Sequence, residues 1–142
     1  MLKRTMGAVA VALLVTAPVV HAQGSARDAV AAKDPVTDGR PLSDWIAELK
    51  ADAPQTRNAA AYEISGLGPA GTAAVPALIE ALDDPNPSVR FPVTVALGEI
   101  GPAAVDAVPK LKRVMDEDVN DEIAASAKRA IRRIKPEALA DH

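Results

Sequence analysis

The chain has no cysteine, which excludes disulfides, thiolate nucleophiles, cysteine-ligated zinc and lipid attachment through a cysteine. Aromatic residues are nearly as scarce. Trp45, Tyr62 and Phe91 are the whole set, too few for base-stacking platforms, cation cages or a flavin or haem pocket. Histidine occurs only as His21 and His142. The first lies in a segment read below as removable and the second ends the chain, where catalytic geometry is hard to hold. There is also no glycine-rich phosphate loop following a strand, and no serine with a histidine base. The expectation is a protein without catalytic residues, cofactor or metal. What the chain does have is 12 prolines and a 49% hydrophobic content made mostly of small and aliphatic side chains.

The first 22 residues read as a secretory signal peptide. Lys3 and Arg4 form a positive end, Met6 to Val20 is uncharged and apolar, and Val20-His21-Ala22 offers small residues to a cleaving peptidase. The apolar run is roughly 15 residues, short of the ~20 that span a bilayer, and no transmembrane segment is expected in the mature chain. Cleavage after Ala22 removes two basic residues and no acid, taking the formal net charge from −3 to about −5. The expected location is the periplasm or the exterior. Residues 23–40 are polar or small with no sustained period, and are expected to be a flexible linker.

From there the chain repeats. Laying Arg57 to Asp83 over Arg90 to Asp116 pairs Arg57 with Arg90, Ile64 with Leu97, Gly68-Pro69-Ala70 with Gly101-Pro102-Ala103, and Val75-Pro76 with Val108-Pro109, at a constant offset of about 33 residues. The match extends back to Trp45 on Leu78 and, with one more loop residue, forward to Ile131 and Pro136. Each unit reads as a helical hairpin. Apolar residues recur at spacings of three and four, a Gly-Pro pair ends the first helix, and a proline sits in the first turn of the second. The expected helices are about Leu42 to Lys50, Pro54 to Leu67, Thr72 to Leu82, Pro87 to Ile100, Val105 to Met115 and Asn120 to Ile134. Pro92, inside the fourth, is expected to kink it or delay its start.

The runs Pro87-Ser-Val-Arg-Phe-Pro-Val-Thr-Val-Ala-Leu-Gly-Glu-Ile-Gly-Pro102 and Ala74-Val-Pro-Ala-Leu-Ile-Glu-Ala-Leu-Asp-Asp-Pro85 resemble HEAT repeats, in particular the short variety of the phycobilin lyase and HEAT-like group. The resemblance covers residues 41–136, leaving 137–142 as a tail. It implies an all-α fold, an α-solenoid of about three hairpins that binds other macromolecules, here expected to be a protein partner, through a concave face. It also implies a ladder between neighbours, from a loop aspartate and an arginine early in the first helix; the matching residues are Asp52 with Arg57 and Asp84 with Arg90. Ala124 stands where the third arginine is expected, so the ladder should stop there.

If the second helices line a concave face, the residues beside their apolar stripe meet a partner: Asp44, Ala47 and Glu48, then Ala77, Glu80 and Ala81, then Lys110, Arg113 and Val114. That row runs from acidic to basic and could orient a charged protein. The last helix carries Lys128, Arg129, Arg132 and Arg133, with Lys135 just beyond. These read first as the polar face of a capping helix and alternatively as an anion-binding strip for lipid or polysaccharide. Export and the acidic balance argue against nucleic acid. Asp116, Glu117, Asp118, Asp121 and Glu122 form an acidic cluster without the glycine and alternation of a calcium loop, so a solvated loop is favoured. One enzymatic alternative stays open through the resemblance, a subunit of a bilin-lyase-like pair.

Overall fold

The computed structural model describes residues 34–140. The expected leader and its cleavage point, linker residues 23–33, and the terminal Asp141 and His142 lie outside the described residues. The described residues form a short hairpin, β1 (Val36–Thr37) and β2 (Arg40–Pro41), and then six α-helices: α1 (Leu42–Glu48), α2 (Pro54–Leu67), α3 (Val75–Ala81), α4 (Pro87–Ile100), α5 (Val108–Glu117) and α6 (Asp121–Ile134). Segments of 3-10 helix, Gly68–Ala74 and Gly101–Ala107, lead into α3 and α5, and a third, Pro136–Leu139, follows α6.

The expected hairpins are present, and their punctuation follows from backbone sterics. Gly68 and Gly101 end α2 and α4 with φ of 55° and 80° and ψ of −134° and −146°, a region open essentially to glycine alone. The chain then turns through small residues as a 3-10 helix, so α3 and α5 start three residues later than the periodicity suggests. Pro76 and Pro109 lie in their first turns, where no donor is needed. Asn86 and Asn120 cap α4 and α6, accepting from Ser88 N–H and from the N–H groups of Glu122 and Ile123.

First helices α2, α4 and α6 pack side by side, with α1, α3 and α5 against them. One core runs the length of the stack. Its largest fully buried side chains include Leu42, Ile64, Leu78, Leu97, Leu111, Ile123 and Ile131. No hairpin could cover this stripe alone, so stacking makes the core. By length and composition, the stretch Pro87–Glu117 could cross a membrane. It is broken at Gly101 and mostly buried, and its apolar residues serve this core.

Further expectations are corrected. Part of the linker is ordered: Asp38 and Gly39, with φ of 49° and 71°, form the two-residue turn that suits a tight hairpin. This hairpin closes the first end of the stack. Pro35 carbonyl and Asp34 Oδ2 accept from Leu42 and Ser43 N–H at the start of α1, and Thr37 carbonyl accepts from Trp45 Nε1 at 3.2 Å. At the other end, the tail forms the 3-10 turn Pro136–Leu139, which buries Ala138.

Pro92 is another correction. It neither delays nor divides α4, which starts at its Asn86 cap and runs to Ile100. Proline at 92 leaves the Ser88 carbonyl without its helical donor, and Asn58 Nδ2 on α2 donates to that oxygen instead. Asn58→Ala is therefore expected to cost about 1 kcal/mol. The cost should shrink in a Pro92→Ala background, where the restored N–H serves the carbonyl; urea denaturation of the four proteins measures both.

The ladder is present with a different register. Arg57 Nε and Nη2 donate to Asp84 at 2.6 and 3.0 Å, and Arg90 Nε and Nη2 donate to Asp118 at 2.7 and 3.0 Å. Each arginine therefore reaches the aspartate of the following loop, while its Nη1 donates to its own loop's carbonyls: Ala51 and Asp52, or Asp84 and Pro85. The residue equivalent to Asp84 in the first loop is Ala51, not Asp52. The second rung ends on Asp118, and Ala124 provides no arginine for a third.

Candidate partner-binding site

Asp44, Ala47, Glu80 and Arg113 are exposed, and Ala77, Glu48 and Lys110 are partly covered. Ala81 and Val114 are buried, which corrects their place in the row. They extend the stripes Val75-Leu78-Leu82 and Val108-Leu111-Met115 by one helical step, and the core takes them.

The charges of this row are largely engaged. Arg40, from the hairpin, lies 2.8 Å from Glu48 and 3.8 Å from Asp44, with its guanidinium 4.0 Å from the Trp45 ring centroid. The Glu48 hydrogen bond, opposed by partial desolvation and helped by the nearby acids, raises the Arg40 pKa above its usual value. Lys50 reaches Glu80 at 3.1 Å, and Lys110 pairs with Asp83. These two bridges run from the end of α1 to α3 and from the end of α3 to the first turn of α5. They also flatten the expected acid-to-base gradient, since its acidic half carries its own cations. Arg113 has no ion-pair partner among the described residues.

Lys128, Arg129, Arg132 and Arg133 on α6, and Lys135 just beyond it, are all exposed, while Ile123, Ala127, Ala130, Ile131 and Ile134 are buried. Arg133 is held by Glu99 of α4 through two hydrogen bonds of 2.6 and 3.1 Å. Lys128, Arg129, Arg132 and Lys135 have no ion-pair partner among the described residues. The acidic cluster is split: Asp118 belongs to Arg90, and no group of three metal-ligating side chains gathers among the described residues.

A model of HEAT repeats matches residues 42–132. The chain belongs to the HEAT repeat family. A search of curated proteins finds no match. The matched span runs from the start of α1 nearly to the end of α6, so the HEAT unit comprises the stack and its ladder, with the hairpin and the final 3-10 turn as additions at its two ends. HEAT repeats generally mediate protein-protein interaction, and the stack is compatible with a scaffold.

Sequence reasoning missed one feature, a groove of about 240 Å3 between α4 and α6, lined by Thr94, Val95, Gly98, Ser126, Arg129 and Arg132 among others. A signal was available. Thr94 and Ser126 are polar residues at positions of the apolar face, which is where two helices share a hydrogen bond.

Proposed function

We infer that this HEAT repeat protein is an exported, non-catalytic adaptor that holds a protein partner on the face made by α1, α3 and α5. The observation that carries this reading is the pair of bridges Lys50–Glu80 and Lys110–Asp83. They join α1, α3 and α5 along one face, the shared core holds the three helices in place, and Asp44, Ala47, Glu80 and Arg113 stay exposed. A preformed surface of this kind avoids the ordering cost that weakens binding by flexible segments. Export rests on the charged start, apolar run and small-residue end of the first 22 residues.

The test is crosslinking followed by affinity purification from the host's envelope fraction. Wild type should recover a defined partner, and Glu80→Lys combined with Arg113→Glu should lose it. Undiminished recovery by the double variant removes this face from the reading. Bilin transfer or any turnover by the isolated chain would place the protein among enzymes instead. N-terminal sequencing of the exported protein should begin at Gln23.

A further inference from the structure

We propose that the groove between α4 and α6 is a second docking site, which takes an acidic segment of a protein partner: one carboxylate on Arg129 and Arg132, and a neighbouring small side chain in the groove itself. This rests on the reading of the chain as a protein-binding module but on a different face. Three features of the groove specify its occupant.

Its floor is apolar and shallow because the helices come close. A Cβ on Gly98 would lie 3.2 Å from Ala130 Cα, and Val95 and Ala130 flank the space. The polar groups beneath are already satisfied. Thr94 Oγ1 is 2.7 Å from the Phe91 carbonyl oxygen and 2.6 Å from Ser126 Oγ. A hydroxyl has one proton, so Thr94 donates to Phe91 and Ser126 donates to Thr94. No hydroxyl proton points into the groove, and an anion is not welcome on its floor. A small neutral side chain is.

The rim, in contrast, is cationic and largely unspent. Arg133 is neutralised by Glu99, while Arg129 and Arg132 are exposed with no ion-pair partner among the described residues. The Glu99–Arg133 pair shows the geometry that the rim supports, a carboxylate taken by two parallel N–H donors. An incoming glutamate or aspartate would repeat on the neighbouring arginines what Glu99 does on Arg133.

The surroundings favour a peptide over other polyanions. Among the described residues, the exposed large hydrophobic side chains are Val36, Tyr62, Val105 and Val119, and none of them is on α6. A membrane would find charge there without an inserting side chain. No aromatic residue lines the groove for a base to stack on.

The probe is a short fluorescein-labelled peptide alternating glutamate and alanine, which when extended puts its acids on one side and its methyl groups on the other. Binding to the full mature chain is read by fluorescence anisotropy. Arg129→Glu with Arg132→Glu should weaken it about tenfold or more, the loss expected for charge-assisted pairs. Lys128→Glu with Lys135→Glu makes the same change in net charge away from the rim arginines and should weaken it less than about threefold. Val95→Phe keeps every charge and fills the groove, and it too should lower affinity. Circular dichroism checks that each variant is folded. Equal losses in the two charge-reversed variants, or no effect of Val95→Phe, overturn the proposal by reducing it to general attraction. Phosphatidylglycerol vesicles or heparin that bind through Arg129 and Arg132 while the peptide does not would overturn it in favour of another ligand class. Failure of the peptide while crosslinking still recovers a partner through Glu80 and Arg113 removes the groove and leaves the adaptor reading standing.

Discussion

Arg90→Ala should lower the unfolding free energy by about 3 kcal/mol, and Tm by roughly 10–15 °C. The side chains of Arg90 and Asp118 are 14% and 5% exposed. Removing the guanidinium leaves a nearly buried carboxylate with the Asn120 N–H at 3.0 Å as its remaining donor, and it deprives the Asp84 and Pro85 carbonyls of theirs. The penalty is that of an orphaned charge and not the worth of the pair. Accordingly, Arg90→Ala with Asp118→Ala should be less destabilised than the two single effects predict together. Urea denaturation of the four proteins gives the coupling. A cost below about 1 kcal/mol for Arg90→Ala would show that the rung behaves as an ordinary surface ion pair.

The same rungs set an acid limit on stability. Around Asp118, the Arg90 hydrogen bond is the strongest influence; it and the Asn120 N–H outweigh burial and hold the carboxyl below its usual pKa. At Asp84 burial is the largest influence and acts upward, but the Arg57 hydrogen bond, the Asn86 N–H and the charges of Arg57 and Arg90 together reverse it. A carboxyl whose pKa is depressed on folding contributes stability that is full above its unfolded value, about 3.9, and is lost as pH falls through the lower folded value. Stability should therefore drop below about pH 4. Asp118→Asn should be weaker at pH 7 and should lose less on further acidification.

The sequence showed these rungs in outline because arginine recurs at a fixed place in two successive repeats, as Arg57 and Arg90. Their register was hidden, since an arginine can reach back to its own loop or forward to the next, and only the packing of α2 on α4 brings Asp84 within reach of Arg57. Helix positions were legible for a simpler reason: Gly-Pro pairs and apolar spacing act locally. The hairpin at Asp38-Gly39 was also local, but two-residue strands are too short to show a period. Its turn dipeptide was the available signal. Ala81 and Val114 were misplaced because a helix packed between two neighbours buries a wider stripe than a hairpin would. Of the groove only Thr94 and Ser126, polar residues on apolar faces, left a trace in the sequence; its shape depends on how closely α4 and α6 approach.

That approach can be tested with two glycines that look alike in sequence. Gly66 and Gly98 both lie near the ends of first helices, and neither has a positive φ. A Cβ at Gly66 meets nothing within 4 Å, so Gly66→Ala should stabilise by about 0.5–1 kcal/mol, the cost of glycine in a helix. At Gly98 the added atom would lie 3.2 Å from Ala130 Cα and 3.3 Å from Ala130 Cβ. Neither is the end of a flexible side chain, so α6 itself would have to move. Gly98→Val should accordingly destabilise by about 2–3 kcal/mol, as overpacking does, despite the gain in helix propensity. Because Gly98 and Ala130 also form the groove floor, separating the helices should weaken peptide binding along with stability. Thermal unfolding of both variants reads the contrast, and a neutral Gly98→Val would mean that α4 and α6 do not meet as closely as the groove requires.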